Sequence, residues 1–224
     1  MSMQQFVVIG MGRFGMSLGT ELIDLGYEVM GIDRSEEVVE EVGDRFTYAV
    51  VADATDEEML RSLGIRNFDC GIVAIGENMQ TSILAAILLK ELGVKKVVAK
   101  AITVLHGRAL EKIGVDQVIF PEREMGIRVA HQLVTPNLLD YIKLSDDYSI
   151  VEMRVPTCLN ERTISDLNSR ARFGCTIVAL RTEAGVTIAP TALDQMSEGD
   201  IMVIAGPNDR IEQFEREVVN PEED

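Results

Sequence analysis

The sequence is short of histidine and cysteine, and each shortage argues against a class of protein. It has two histidines and three cysteines among 224 residues. Cys70, Cys158 and Cys175 are scattered without a C-x-x-C pair, which indicates reduced thiols rather than a disulfide framework. Neither histidine has the spacing to cysteine or carboxylate that is typical of a zinc site. The pattern therefore favours a cytoplasmic protein without bound zinc.

Basic residues and long apolar runs are also scarce. Lysine and arginine together number 21 against 37 acidic residues, so the formal net charge is −16. Nucleic-acid binding needs clustered basic side chains, so this acidic composition argues against a general nucleic-acid-binding protein. No apolar run approaches the roughly twenty residues of a membrane span, and no basic segment precedes the short apolar stretch at the start of the chain. We expect a globular protein whose membrane contact, if any, comes through a partner.

The stretch FVVIGMGRFGMSLGTEL, residues 6–22, has the pattern of a strand, a tight turn and a helix. Four apolar residues run into Gly10, Gly12 and Gly15, and apolar positions then recur at helical spacing. In a Rossmann turn such glycines permit the turn, let a pyrophosphate approach the backbone, and let the helix pack on the strand. The phosphate binds the free N–H groups at the helix start. The stretch predicts nucleotide binding; a Rossmann-like glycine turn without a ligand is the alternative.

Three charged residues end predicted strands of the same sheet. Asp33 lies about twenty residues past the glycines, where a carboxylate accepts hydrogen bonds from ribose hydroxyls. Asp53 would face adenine or ribose, although helix capping by its neighbours explains the same polar cluster. Lys100 would either place an ammonium near the phosphates or face solvent.

Six predicted strands alternate with helices as far as residue 120, and this predicts a doubly wound parallel sheet. The helix Thr81 to Leu92 has too many apolar positions for a single buried stripe, which predicts either a subunit contact or burial within one domain. The first domain should span residues 1–135. After Pro136 a helical pattern resumes at 138–142, and we expect a linker helix within 136–146.

From residue 147 to 224 the pattern changes to a smaller α+β domain. Strands are predicted over 149–155, 176–181, 186–188 and 200–205. A helix from Thr163 to Arg172 should end at Gly174, in the left-handed conformation that stops helices. The fold class is therefore α/β: an N-terminal doubly wound parallel Rossmann sheet followed by a second, smaller α+β domain.

Catalytic groups are missing from the pattern. An oxidoreductase needs a proton donor or acceptor beside the nicotinamide, but His106 and His131 fall in predicted helices without a paired catalytic pattern, which favours structural roles. No nucleophile elbow is present. Nucleotide binding without visible catalysis indicates a sensor. An NAD-dependent oxidoreductase and a free-standing nucleotide-binding protein are the alternatives.

Seven segments carry a family resemblance: IGMGRFG, GIDR, ADATD, VAIGEN, VAKA, GVDQVIFPEREMG and SDLNSRARFGCTIVAL. Together they resemble the RCK or KTN regulatory subunits of Ktr and Trk potassium uptake systems, most closely the KtrA type, over nearly the whole chain. The resemblance implies a non-enzymatic subunit whose homodimers assemble into a homo-octameric gating ring. It also implies that the ring binds a KtrB-like membrane potassium transporter at the inner face of the cell membrane.

The resemblance further implies ATP or ADP, or NAD or NADH, at the glycine turn, with ATP favouring the conducting ring and ADP the closed one. Arg13 matches the position that reaches a γ-phosphate, often that of the neighbouring subunit, and a guanidinium can bind phosphate through two hydrogen bonds. A plain surface arginine is the alternative. The implied nucleotide-binding residues are Gly10, Met11, Gly12, Arg13, Phe14, Gly15, Asp33, Arg34, Asp53, Ala54, Thr55, Ile75, Gly76, Asn78 and Lys100.

Two further ligands follow from the resemblance. Glu122 matches a position that helps hold Mg²⁺ or Na⁺ beside the nucleotides at the dimer interface, although a carboxylate that only begins a helix is the equal alternative. In several members the C-terminal unit binds cyclic di-AMP between subunits, which inactivates uptake. Ser165 stands where an aliphatic residue is common, and a dimer interface without a ligand is the competing interpretation. The implied cyclic di-AMP residues are Ile164, Asn168, Arg170, Thr176, Ile177 and Pro190.

Overall fold

The chain folds into two compact units, and the computed structural model describes residues 4–134 and 137–219. The first unit comprises Met1–Arg123 and the second Glu124–Asp224. The division falls ahead of the expected boundary near residue 135. Residues 135 and 136, at the expected boundary itself, lie outside the described residues.

The first unit is a six-stranded parallel sheet with helices between its strands. The strand order is β3-β2-β1-β4-β5-β6, and every pairing is parallel. This is the Rossmann order, in which β1 and β4 lie side by side where the direction of winding reverses. The predicted doubly wound sheet is confirmed. Its elements are β1 (Gln5–Ile9), α1 (Arg13–Asp24), β2 (Glu28–Asp33), α2 (Glu36–Val42), β3 (Tyr48–Val51), α3 (Glu57–Ser62), β4 (Cys70–Val73), α4 (Met79–Glu91), β5 (Lys96–Lys100), α5 (Val104–Ile113) and β6 (Gln117–Ile119).

Helix starts in this unit follow the capping residues. Ser35 accepts a hydrogen bond from the Val38 N–H, and Asp56 accepts one from the Met59 N–H, so these side chains cap α2 and α3. Asn78 and Thr103 cap α4 and α5 in the same way. These caps fix where each helix leaves the carboxyl end of its strand.

Helix α4 buries only part of its apolar surface within the first unit. Ala85, Ala86 and Leu89 lie in the core, whereas Met79 and Leu84 are exposed. Burial within one unit therefore does not account for all the apolar positions of this helix.

The second unit contains a five-stranded antiparallel sheet in the order β10-β9-β11-β8-β7. Its core joins Met153, Leu180, Ile204 and Phe214. The elements are α6 (Pro121–Val134, which begins in the first unit), β7 (Leu138–Lys143), β8 (Tyr148–Arg154), α7 (Ile164–Leu167), α8 (Ser169–Phe173), β9 (Thr176–Thr182), β10 (Gly185–Ile188), β11 (Ile201–Pro207) and α9 (Asn208–Phe214), with a π-helical turn over Glu215–Val219.

Two predictions for this part of the chain are wrong. Residues 138–142, expected within a linker helix, belong to β7, which pairs antiparallel with β8. Their apolar spacing fits a helix, but so short a helix is unstable by itself, whereas the open edge of β8 pairs the backbone groups of these residues. The expected helix from Thr163 to Arg172 divides into α7 and α8 at Asn168, whose φ of +46° is left-handed. Gly174, with φ +68°, ends α8 as predicted.

His106 is the one histidine that is completely buried. Its Nδ1 accepts a hydrogen bond from the Ile102 N–H at 3.3 Å, which places the proton of the neutral ring on Nε2. Within the described residues, Nε2 has no partner. Burial lowers the pKa of His106 below its ordinary value of 6.5.

We expect His106 to make stability depend on pH. The unfolded chain takes up a proton near pH 6.5, whereas the folded protein resists protonation until a lower pH, so the free energy of unfolding should fall as pH drops below 6.5. The slope from one such group is at most about 1.4 kcal/mol per pH unit. His106→Asn keeps an acceptor near the Nδ1 position and should flatten this slope in urea unfolding curves measured between about pH 7.5 and 5.5. His131→Asn is the control and should retain it; an unchanged slope in His106→Asn would contradict the assignment.

Candidate functional site

The glycine turn connects β1 to α1 through a close approach of backbone to backbone. Gly10 has φ +92°, and its N–H donates to the Ile32 carbonyl at 2.8 Å. A Cβ on Gly15 would lie 2.0 Å from the Gly10 carbonyl oxygen. Only glycine at position 15 lets α1 begin this close to the turn. A Cβ on Gly12, by contrast, would have no atom within 4 Å among the described residues.

The first turn of α1 presents free backbone donors at this place. Gly12 is the N-cap residue and supplies no side-chain cap. The Met16 N–H is bonded to the Gly12 carbonyl at 2.8 Å, so the amides of Arg13, Phe14 and Gly15 precede the helical hydrogen-bond ladder. Such a helix start, with its positive dipole end, favours an anion. Arg13 is exposed at the same turn.

Asp33 holds the glycine turn in place from the end of β2. Its Oδ2 accepts a hydrogen bond from the Met11 N–H at 2.7 Å, and its Oδ1 accepts one from the Ser35 N–H at 3.0 Å. Each carboxylate oxygen has two acceptor positions, so both can still accept from a ribose hydroxyl. The bond to Met11 was not predicted from the sequence, because nothing in the spacing distinguishes a carboxylate that faces ribose from one that holds the loop.

Asp53 forms a local turn at the end of β3. Its Oδ1 accepts from both the N–H and the hydroxyl of Thr55, at 2.8 and 2.7 Å. These bonds, the backbone one foremost, lower the pKa of Asp53, and the charge of the exposed Arg34 adds to the effect. Ala54 is buried beneath the turn. The polar cluster thus has a local structural explanation, while the Asp53 side chain remains exposed at the carboxyl edge of the sheet.

Lys100 is buried at the end of β5, so the alternative of a solvent-facing lysine is wrong. Only 10% of its side chain is exposed. Its Nζ pairs with Glu122 Oε1 and lies 5.8 Å from the centre of the Phe14 ring. A Cβ on Gly76 would lie 3.3 Å from Nζ. The hydrogen bond from Lys100 lowers the pKa of Glu122, and the Arg13 charge contributes in the same direction.

The carboxyl ends of β1, β4 and β5 bring most of the predicted nucleotide residues together. Ile75 follows β4 and lies against Gly10: a Cβ on that glycine would be 3.1 Å from the Ile75 nitrogen. Gly76 and Phe14 flank the Lys100 ammonium. Asn78 caps α4. Asp53 and Arg34 belong to the β2–β3 side of the sheet, where Rossmann proteins place the outer part of a nucleotide.

The described residues do not by themselves form a cation site around Glu122. No group of three or more histidine, cysteine or acidic side chains that could hold a metal ion exists among residues 4–134 and 137–219. Glu122 is one carboxylate already paired with an ammonium. Further oxygens would have to come from water or ligand phosphates, as magnesium sites commonly arrange. The cation role of Glu122 stays a prediction.

The expected cyclic di-AMP residues are dispersed over the start of α7, Asn168, α8, the start of β9 and, for Pro190, the segment after β10. Asn168 and Arg170 are exposed, whereas Ile177 is part of the core of the second unit. A cleft of about 280 Å³ in this unit is lined by Arg162, by Asp166 of α7 and by Arg172 of α8 among other residues, and includes none of the expected set. The cyclic di-AMP assignment stays a prediction.

The chain is similar to known proteins in both sequence and fold. The TrkA-N domain matches residues 6–121, and the TrkA-C domain matches residues 150–219. The chain is 46% identical over 214 residues to the Ktr system potassium uptake protein A of Bacillus subtilis (strain 168), covering 96% of each. The chain belongs to the Ktr family of potassium uptake proteins. A Ktr family relative in Vibrio alginolyticus, also a protein A, is 36% identical and covers 93% of this chain and 94% of that one.

Solved structures share the fold at lower identity. The GsuK channel has a TM-score of 0.71 at 18% identity, covering 96% of this chain and 39% of that chain. The GsuK channel bound to NAD has a TM-score of 0.68 at 18% identity, covering 100% of this chain and 41% of that chain. Among the described residues of this Ktr family member, no helix is long and apolar enough to cross a membrane.

Replacing Gly12 or Gly15 by alanine should distinguish a loss of nucleotide affinity from a loss of stability. Gly12→Ala adds a methyl group to open space, so the thermal midpoint without ligand should stay near that of the wild type while adenine nucleotide affinity falls. Gly15→Ala drives a methyl group into a backbone oxygen and should lower the midpoint as well. Thermal unfolding and calorimetric titration of both variants test this. A Gly12→Ala protein that binds nucleotide like the wild type would remove the turn from the site.

Proposed function

We propose that the protein is a regulatory subunit of a Ktr-type potassium uptake transporter and that its first unit senses adenine nucleotides. The observation that carries the proposal is the uncapped start of α1 at the Rossmann winding reversal, with one exposed and one buried cation beside it. The cations are Arg13 and Lys100. In a protein of net charge −16, this local arrangement is what would select an anionic ligand.

Each part of a nucleotide has a matching group in this unit. The phosphates would bind the free amides of Arg13, Phe14 and Gly15, with the Lys100 ammonium close by. The ribose would bind Asp33, and the adenosine end would lie toward Asp53. A solved GsuK channel carries NAD and another GsuK structure carries ADP, which supports a nucleotide ligand of either type.

Discrimination between ATP and ADP would depend on the terminal phosphate. Arg13 is exposed, so its guanidinium can reach a γ-phosphate in its own subunit or in a neighbouring one. A ligand shifts a conformational equilibrium only if it binds the two states with different affinity. A guanidinium that touches the third phosphate in only one of the two states would provide such a difference for ATP and none for ADP. We assign the protein no catalytic reaction.

The subunit would act as part of an assembly at the inner face of the membrane. Exposed apolar side chains on α5 and α6, such as Leu105 and Leu133, give surfaces for homodimers and for a homo-octameric ring. Membership of the Ktr family supports a membrane potassium transporter, which we propose to be KtrB-like, as the partner. In the second unit, exposed Arg170 and Asn168 leave cyclic di-AMP as a proposed second ligand.

A ligand panel tests the proposed function. Thermal unfolding of purified, nucleotide-free protein with ATP, ADP, NADH and cyclic di-AMP should show stabilisation by at least one adenine nucleotide, because a ligand that binds only the folded state raises its stability. Inorganic phosphate at matched ionic strength controls for general anion effects. Co-purification with a KtrB-type transporter tests the partner. A protein that ignores every adenine compound would end the sensor proposal, and turnover of NADH would favour an enzyme instead.

Replacing Arg13 should reduce the preference for ATP over ADP more than it reduces the affinity for ADP. In Arg13→Ala the affinity for ATP should fall by roughly tenfold, as expected for loss of a charged hydrogen bond, while ADP affinity changes little. Arg66→Ala removes an exposed arginine that precedes β4, at the opposite edge of the sheet, and is the matched control. Isothermal titration calorimetry of assembled protein measures both ligands. Equal losses for ATP and ADP would contradict a contact with the third phosphate.

A further inference from the structure

We propose that the cleft of the second unit binds a free amino acid with an aliphatic side chain. The cleft has a volume of about 280 Å³, close to the lower end of the roughly 300–1,000 Å³ that small-molecule pockets occupy. A single amino acid matches this size, whereas a dinucleotide is much larger. The site does not depend on the nucleotide site proposed in the first unit, so either one can fail without the other.

The cleft contains one arginine that is free to bind a carboxylate. Arg162 is exposed, and its guanidinium makes no hydrogen bond or ion pair with any other residue that the structure describes. A guanidinium offers paired N–H donors whose spacing matches the two oxygens of a carboxylate. The second arginine of the cleft, Arg172, is already paired with Glu217 at 3.3 Å and lies 4.7 Å from the centre of the Phe173 ring. We therefore assign the carboxylate of the ligand to Arg162.

Asp166 is the group that can accept the ammonium. Its Oδ2 accepts hydrogen bonds from the N–H and the hydroxyl of Thr163, both at 2.8 Å, and this capping box fixes the side chain at the start of α7. Among residues 4–134 and 137–219, none donates a hydrogen bond to Oδ1. The bonds from Thr163, the backbone one foremost, and the Arg162 charge lower the pKa of Asp166. The cleft thus holds an ionised carboxylate in a fixed position with one oxygen available.

The remaining carboxylate of the cleft, Glu217, is bonded through both oxygens. Its Oε2 pairs with Arg172, and its Oε1 accepts a hydrogen bond from the Gln213 amide at 2.7 Å. Two arginines and two carboxylates cancel in formal charge, which argues against a simple anion such as phosphate as the ligand. The groups left available are one cation and one anion, and these complement the two opposite charges of a zwitterion.

Apolar side chains form the rest of the cleft. Leu159 and Leu167 are buried members of the core of the second unit, and Val218 packs against that core. A ligand side chain that covers this edge of the core removes apolar surface from water. An aliphatic side chain does so without bringing a polar group that would need a partner. Leucine is therefore the amino acid with which we would test the cleft.

The cleft extends across the corner between two short helices. Asp166 belongs to α7 and Arg172 to α8, and Asn168, with φ +46°, separates the two helices. A ligand held by the α7 side and in contact with the α8 side would restrain the corner between them. Hydrogen exchange of residues 164–173 should therefore slow when the cleft is filled.

The first test compares free leucine with analogues that each lack one of its groups. Isothermal titration calorimetry of the full chain should show binding of leucine. 4-Methylpentanoate lacks the ammonium and 3-methylbutylamine lacks the carboxylate, and each should bind at least tenfold more weakly, because each loses a charged hydrogen bond. Glycine lacks the side chain and should also bind more weakly. Inorganic phosphate at matched ionic strength should not displace leucine.

The second test removes the charge of Arg162. Arg162→Gln should weaken leucine binding at least tenfold but leave the weak binding of 3-methylbutylamine unchanged, because this amine has no carboxylate to lose. Arg216→Gln removes a charge from an exposed arginine of the same unit that does not line the cleft, and it should bind leucine like the wild type. A change that merely disturbed the structure would weaken the binding of both ligands.

The chain contains its own reporter of the cleft. Cys158 is exposed and lines the cleft, whereas Cys70 and Cys175 are buried. Leucine should slow the alkylation of Cys158 by iodoacetamide, an uncharged reagent, in the wild type and in Arg216→Gln but not in Arg162→Gln. Mass spectrometry measures the modification of each cysteine, and the two buried thiols are internal controls for unfolding.

Three results would each overturn the proposal. The first is neither heat nor protection of Cys158 at about 10 mM leucine, a concentration well above the Kd of weak ligands. The second is equal binding of leucine and 4-methylpentanoate, since the ammonium would then have no role. The third is equal binding by Arg162→Gln and Arg216→Gln. ATP and ADP titrated into the same samples test the first unit separately, so nucleotide binding without leucine binding would overturn the amino acid site alone.

Discussion

The close approach of α1 to the glycine turn is the constraint on which the rest of the site depends. The space between position 15 and the Gly10 carbonyl does not admit even a methyl group. This contact brings the amides of the first turn of α1 to the carboxyl ends of β1 and β4, where the winding of the sheet reverses. Asp33 keeps the turn there through the Met11 N–H. The proposed anion-binding position is thus built mainly from backbone N–H groups, with the side chains beside it.

Charge in this protein is organised locally against a strongly acidic background. With a net charge of −16, the surface as a whole repels anions, so any phosphate must be held by particular groups at short range. Lys100 is one group that could hold a phosphate at short range. It is buried, and a buried ammonium is costly unless an anion pairs with it. Glu122, in the first turn of α6, is the anion that pairs with it. The pairing connects the end of β5 to the first turn of α6.

The fold agrees with membership of the Ktr family. The seven sequence motifs resemble the same family. The two domain matches cover residues 6–121 and 150–219, which correspond to the parallel and antiparallel sheets. The segment between these matches is where sequence reasoning was least successful. It contains α6 and β7, whose structures depend on contacts with other elements. β7 pairs with β8, and α6 contacts β7 through Arg128 and His131.

Local sequence patterns determined the features that depend on neighbouring residues. The β-branched runs, the glycine spacing and the capping residues Ser35 and Asp56 specify strands, a turn and helix starts, because each effect acts within a few residues of its cause. Contacts between distant elements had no such signal. The burial of Lys100, its pairing with Glu122 twenty-two positions away and the strand at 138–143 were decided only when the sheets assembled. Sequence alone thus determined a Rossmann turn and predicted a nucleotide there. Tertiary structure decided which charges meet beside the turn, since burial and pairing depend on neighbours that the chain brings together only in the fold.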